Sequence, residues 1–191
     1  MPVGRVFIGG AAAVALGWSA RESKALAVTR REEQVFRRFN DAPDFLSPVL
    51  WAPMQAGSLA AVFLASELTR RRFGRDAALT VALTGTAVWG GVKLIKPLVG
   101  RGRPAAHLGD VNVHGQEQRG LGYPSGHAAV SLTLAVATTR APGVRVVAVA
   151  VAAIAGASRM YVGAHLPLDV VGGFAIGALA GTTAAAVLTA I

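Results

Sequence analysis

The chain has 191 residues, 53% of them hydrophobic and only 15% charged, with a mean hydropathy of +0.49. That length fits one domain or one compact bundle of membrane helices, and the apolar balance excludes an ordinary soluble domain. The absence of cysteine excludes disulfides, thiolate catalysis and cysteine-ligated zinc.

The net charge of +9 comes from basic residues scattered between apolar runs. Loops beside hydrophobic spans contact anionic headgroups, whereas nucleic-acid binders gather their cations on one face. The bilayer is therefore the expected partner, and nucleic acid is not.

In chain order, six apolar stretches predict helices, at 6–20, 47–66, 77–95, 126–140, 144–163 and 166–190. A span needs about 20 apolar residues, with about 17 as the lower limit. The third, fifth and sixth meet that limit directly. The second does so with Pro48 and Pro53 in its first turns, where proline is tolerated. The fourth needs the Ser125-Gly126-His127 turn to reach the limit. The first, Val6 to Ala20, reads as a short retained helix, because a signal-peptide cut after Ala20 would put Trp18 at position −3; a cut after Gly17 stays open as the alternative.

Residues 21–45 are highly charged, with Val35, Phe36, Phe39 and Phe45 interleaved, which predicts an amphipathic helix lying in the interface. Trp51 suits an interfacial anchor. In the last stretch, Gly173, Gly177 and Gly181 form a small-residue face for close packing of a neighbouring helix. The expected fold is all-α: one membrane-embedded domain over 1–191, an integral bundle of about six transmembrane helices with an interfacial amphipathic helix near the N-terminus.

Six spans would put both termini, the Arg70-to-Arg75 loop, Arg140 and Arg145 on one side, with seven Lys/Arg, and the 21–45 segment on the other, with twelve. A plain positive-inside tally favours a cytoplasmic location for that second side. Six of the twelve lie in the interfacial segment, however, and the tight 70–75 loop is the cleaner signal. The expectation is that the side carrying the 21–45 segment, with Lys96, Arg103, His127, Arg159 and His165, is the extracytoplasmic one. The Arg, Ala, Gly and Val-rich composition points to a bacterial plasma membrane.

Polar motifs fall at the ends of the apolar stretches. Ser125 after Pro124 is a strong N-cap type, and the following helix start aims N–H groups and its positive dipole end at a bound anion. His127 lies in that first turn. His165 and Asp169 are four apart and share one helix face. A carboxylate on one imidazole nitrogen leaves the other a better nucleophile or base. Lys96, Arg103 and Arg159 supply cations of the kind that stabilise a phosphoryl-transfer transition state. Each feature alone also fits an ordinary capped helix, a self-satisfied pair or a headgroup contact. Their joint intervals do not.

Together the motifs Lys96-x6-Arg103-Pro104, Pro124-Ser125-Gly126-His127 and Ser158-Arg159-x5-His165-x3-Asp169 resemble the signature of the type 2 phosphatidic acid phosphatase superfamily, with every position filled. The resemblance spans 96–169. It implies that His165 attacks phosphorus to form a phosphohistidine, Asp169 orients His165, and His127 protonates the leaving oxygen and later activates water. It also implies that Lys96, Arg103 and Arg159 clamp the phosphoryl oxygens with Ser125, Gly126 and the adjacent backbone, while Ser158 adds a supporting hydrogen bond.

No cofactor and no metal are implied. The 97–123 loop offers Asp110, Glu117, His107 and His114 at irregular spacing. Both loop histidines read as solvated, Arg101 and Arg119 as exposed, and Tyr123 and Tyr161 as lining the entrance.

The expected function is a metal-independent membrane lipid-phosphate phosphatase. Candidate substrates are undecaprenyl diphosphate, phosphatidic acid and phosphatidylglycerol phosphate. A non-catalytic binder or transporter of anionic lipids and a lipid phosphotransferase remain open as alternatives, as does the oligomeric state.

Overall fold

In the computed structural model, which describes residues 3–25 and 27–190, the chain is almost entirely helical. The helices are α1 (Val3–Lys24), α2 (Arg30–Asn40), α3 (Ser47–Gln55), α4 (Leu59–Phe73), α5 (Arg75–Val99), α6 (Gly126–Thr138), α7 (Pro142–Tyr161) and α8 (Pro167–Val187). The first apolar stretch lies within α1; Met1 and Pro2, at the head of the 1–20 segment, lie outside the described residues.

Three helices, α5, α7 and α8, are each long and apolar enough to cross a membrane. The second stretch, expected as one helix, is a pair: α3 and α4 meet at a 52° bend and together make a fourth candidate span. Local chemistry explains the break. Pro53 lies inside α3, and the Ser58 side chain caps α4 by accepting from the Ala61 N–H at 3.2 Å. Gly57 sits between them, where an added Cβ would lie 2.6 Å from the His127 Cα. Only glycine lets the bend seat against the start of α6.

The short α6 is central, with eight of its thirteen residues buried. Against it packs the small-residue face of α8. A Cβ on Gly177 would lie 2.6 Å from the Ala129 carbonyl oxygen, and one on Gly181 would lie 2.8 Å from the Val136 Cβ. Backbone-close packing of this kind holds membrane helices together, since lipid tails remove the hydrophobic drive between them. Val62, Val81, Val88, Val92, Val130 and Leu134 fill the core on the other side of α6.

Helix direction sorts the polar ends. The Arg140 guanidinium donates to the Leu188 carbonyl at 2.8 Å and stacks over the Phe73 ring, which gathers the ends of α4, α6 and α8 at one face of the bundle. The C-termini of α5 and α7 and the N-termini of α6 and α8 meet at the opposite face, where all three motifs lie.

The amphipathic segment forms α2, capped by Thr29, with Glu32 and Glu33 in its first turn and Arg37 and Arg38 in its last, complementary to the helix dipole. Its buried side is Glu32, Phe36 and Asn40, spaced by four. Phe36 packs with Leu166, Val170 and Ala128. Thus α2 lies across the motif face.

Candidate active site

Each motif arrives on a helix end. Gly100, at φ 75°, closes α5 in the left-handed region and lets the chain turn from Lys96 toward Arg103. Lys96 Nζ donates to the carbonyls of Leu121 (3.0 Å), Gly122 (2.7 Å) and Pro124 (3.1 Å), pinning the segment before α6 beneath it. Arg103 donates from Nη1 to the Ala164 carbonyl at 2.7 Å and from Nε to the Arg119 carbonyl at 3.0 Å.

The Ser125 backbone N–H donates to the Asp169 carbonyl at 2.8 Å, locking the starts of α6 and α8 together. Ser125 was expected to cap α6 with its hydroxyl, but the side chain makes no cap bond. Its Oγ is buried and has no hydrogen-bonding partner among the described residues. Gly126 sits beside it in the first turn of α6, where an added Cβ would meet nothing closer than Val92 at 3.7 Å.

At the end of α7, Arg159 is buried, with Nη1 3.1 Å from the Met54 sulfur and Nε buried without a partner among the described residues. Ser158 donates back to the Ile154 carbonyl at 2.7 Å and lies 3.4 Å from the Leu50 carbonyl, tying α7 to α3.

His165 and Asp169 are both buried, with His165 Nδ1 3.4 Å from Asp169 Oδ2, a long hydrogen bond. The same oxygen accepts the Leu166 N–H at 2.9 Å, so Asp169 caps α8 while facing the imidazole. The close approach requires Gly122, where a Cβ would lie 2.7 Å from Asp169 Oδ2.

Lys96, Arg159 and Arg103 all lie near enough to His165 to act on it electrostatically. Burial first, then those three charges, hold its imidazole well below the usual histidine range, so it is neutral at pH 7. Burial likewise lowers the Arg103 guanidinium from its ordinary value. His127, half-buried, interacts with Arg159, His165 and Arg103. Lys96, Arg103, His127, Arg159, His165 and Asp169 therefore lie within reach of one another, and Ser125 Oγ, Arg159 Nε and Arg101 Nε are buried without a hydrogen-bonding partner among the described residues.

Several loop expectations are corrected. Arg101 is fully buried, not exposed. It donates to both Glu32 oxygens, at 2.9 and 2.6 Å, and lies 3.4 Å from Asp169 Oδ1. Burial alone would lower its affinity for its proton, but Glu32 and Asp169 outweigh that and hold it above its ordinary value.

His114 is not solvated: Nδ1 is 3.0 Å from Asp44 Oδ1, and its ring stacks on Tyr161 at 4.0 Å. His107 is half-buried. The loop is drawn inward because Asn40, at the end of α2, accepts from the Asn112 N–H at 2.9 Å and donates to the Asn112 and Tyr161 carbonyls at 2.8 and 2.9 Å. Tyr123 and Tyr161 are buried, not at an entrance. Tyr123 Oη is 3.0 Å from Ser19 Oγ on α1, and Tyr161 Oη is 2.7 Å from Ser47 Oγ. Burial raises the Tyr123 phenol above its usual range.

Among the described residues, no three His, Asp or Glu side chains cluster so as to hold a metal ion. Arg101, Glu32 and Met54 are the site neighbours that the motifs did not name.

The sequence model of the PAP2 superfamily matches residues 74–190. Among solved structures, the chain is similar to LpxE of Aquifex aeolicus, with 25% identity and a TM-score of 0.70, over 79% of this chain and 92% of that one. It is also similar to a transmembrane PAP2-type phosphatidylglycerolphosphate phosphatase of Bacillus subtilis, with 22% identity and a TM-score of 0.68, over 93% and 96%. No curated protein sequence matches the chain.

Proposed function

Because the chain belongs to the PAP2 superfamily, we propose that it is a metal-independent phosphatase of membrane lipid phosphates that works through a phosphohistidine on His165. The observation that carries this reading is the convergence of Lys96, Arg103 and Arg159 on a buried, neutral His165 backed by Asp169.

In the first step the outward nitrogen of His165 bonds to phosphorus as the bond from phosphorus to the lipid oxygen breaks. His127 gives its proton to that oxygen. In the second step His127 takes a proton from water, the water oxygen bonds to phosphorus, and the phosphorus–nitrogen bond breaks to release phosphate. Lys96, Arg103 and Arg159 stabilise charge on the three equatorial oxygens throughout. Ser125 Oγ and the N–H groups at the start of α6, including that of Gly126, donate to the same oxygens. Lys96 already serves three carbonyls, so its part is mainly that of a fixed charge.

The substrate is a phosphomonoester or diphosphate whose tail stays in the bilayer: phosphatidic acid, phosphatidylglycerol phosphate or undecaprenyl diphosphate. We place the enzyme in a bacterial plasma membrane with the site on the extracytoplasmic side. Side-chain pairing supports that orientation. On the motif side Lys96, Arg101, Arg103 and Arg159 are internal to the site, and Arg37 donates to the carbonyls of Asp110 and Gly109. Those cations are committed to the protein, which weakens the tally that would favour a cytoplasmic motif face.

The test is phosphate release from the three lipids by detergent-solubilised protein with excess EDTA, with His165→Ala in parallel. Release by wild type alone supports the reading. Substantial release by His165→Ala removes His165 as nucleophile. No release from any lipid by folded protein turns the assignment toward an anionic-lipid binder, and transfer of phosphate to an added alcohol acceptor would make it a phosphotransferase.

A further inference from the structure

Arg101 is a spacer residue inside the first motif, yet it is the largest fully buried side chain described. A buried guanidinium is costly unless it is paired and hydrogen-bonded. Here it is held by a two-point bond to Glu32 Oε1 and Oε2, at 2.9 and 2.6 Å, the strongest geometry open to an arginine. Its Nη1 also reaches Asp169 Oδ1 at 3.4 Å, on the opposite side of the carboxylate from His165.

Glu32 is fixed in turn. Its Oε1 accepts the Leu168 N–H at 3.0 Å, in the first turn of α8 just before Asp169. A continuous chain of contacts therefore runs Glu32, Arg101, Asp169, His165, from the helix lying across the site to the nucleophile. A carboxylate that must face an imidazole squarely gains from having its second oxygen held.

We propose that Arg101 and Glu32 are positioning residues for phosphoryl transfer: Arg101 holds Asp169 so that Oδ2 faces His165, and Glu32, carried by α2, holds Arg101. Neither touches the substrate. The inference rests on the histidine-phosphatase reading above and adds to it a dependence on the seating of α2.

The test is a double-mutant cycle with radiolabelled phosphatidic acid in mixed micelles, using Arg101→Met, Asp169→Asn and the double variant, with His165→Ala as the blank. If Arg101 acts through Asp169, Arg101→Met lowers kcat about 100-fold with KM within about threefold, and in the Asp169→Asn background it costs less than about threefold more. Glu32→Gln preserves shape and should lower kcat about tenfold, again with little added loss beside Asp169→Asn. It decides by the same criterion if Arg101→Met does not fold. Equal losses in both backgrounds, or a loss confined to KM, overturn the positioning role while leaving the phosphatase intact. Wild-type turnover no greater than the blank on phosphatidic acid, phosphatidylglycerol phosphate and undecaprenyl diphosphate alike overturns the phosphatase reading and this role with it.

Discussion

Ser125→Ala separates a hydroxyl kept for substrate from one kept for the fold. Ser125 Oγ is buried and meets no hydrogen-bonding partner among the described residues. A buried unsatisfied polar group costs about 1–3 kcal/mol. Alanine removes that cost and keeps the backbone bond from Ser125 to the Asp169 carbonyl. At φ −75° and ψ 115° the residue is in a region any side chain adopts.

The variant should therefore be at least as stable as wild type, with a melting midpoint in detergent higher by up to about 4 °C, taking about 1 kcal/mol for a chain of this size. Catalysis should move the other way. A hydrogen bond to a charged oxygen is worth about 1.5–3 kcal/mol, which is about 10- to 150-fold in kcat/KM. The assay pairs phosphate release with thermal unfolding by intrinsic fluorescence on the same preparation. A drop in melting midpoint with unchanged kcat/KM would refute the argument, because it would mean the hydroxyl supports the fold and not the substrate.

Three further outcomes follow from other parts of the structure. His165 is held well below the ordinary histidine value of 6.5; a lowered value leaves the imidazole neutral as pH falls through 6.5, so kcat/KM corrected for substrate ionisation should not drop between pH 7 and 6. A protonation limb centred near 6.5 that survives changes at the other histidines and Asp169→Asn would contradict this. Gly57→Ala forces a Cβ to within 2.6 Å of the His127 Cα; it should cost about 1–3 kcal/mol as an overpacking change and lower kcat at least tenfold by displacing His127, read by melting and turnover together. The chain has no cysteine, so single cysteines at Gln116 and Arg72 report sidedness directly: an impermeant maleimide should label Gln116→Cys in intact cells and label Arg72→Cys only after lysis, and the reverse pattern would place the site in the cytoplasm.

The candidate site residues were legible because the chemistry proposed for them demands particular residue types at helix ends, where spacing shows. His165 and Asp169 announce themselves by a four-residue interval, and Ser125 by its place before an apolar run. Arg101 gave no such signal, since a loop has no period and its partner Glu32 lies 69 residues away. Glu32 was further disguised by the local pattern Thr29-x-x-Glu32, which reads as a capping box. Thr29 does accept from the Glu32 N–H at 3.2 Å, but the Glu32 side chain turns to Arg101 instead of closing the box. His114 was misread for the same reason: its burial depends on Asn40 and Tyr161, which only the packed fold brings to it. The bend at Gly57 was hidden by composition, because a continuous apolar run conceals a break that two residues, Gly57 and Ser58, create.

The charge balance at the motif face ties these parts to the reaction. Four cations, Lys96, Arg101, Arg103 and Arg159, gather there with two carboxylates, Glu32 and Asp169, and a neutral His165. By formal charge that leaves a surplus of two positive charges in a partly buried setting, a field that favours a bound anion. A phosphomonoester carries about −1.5 to −2 at pH 7 and so nearly cancels it. A phosphodiester carries half that charge and also lacks a third free equatorial oxygen for Arg103, Arg159 and Lys96 to share. The pairing of Arg101 with both carboxylates matters to this balance. Were Arg101 free, the surplus at the site would be more mobile and Asp169 could turn toward Lys96. On the proposed role, Arg101, held by Glu32, would keep Asp169 Oδ1 in place and leave Oδ2 to His165 and the Leu166 N–H.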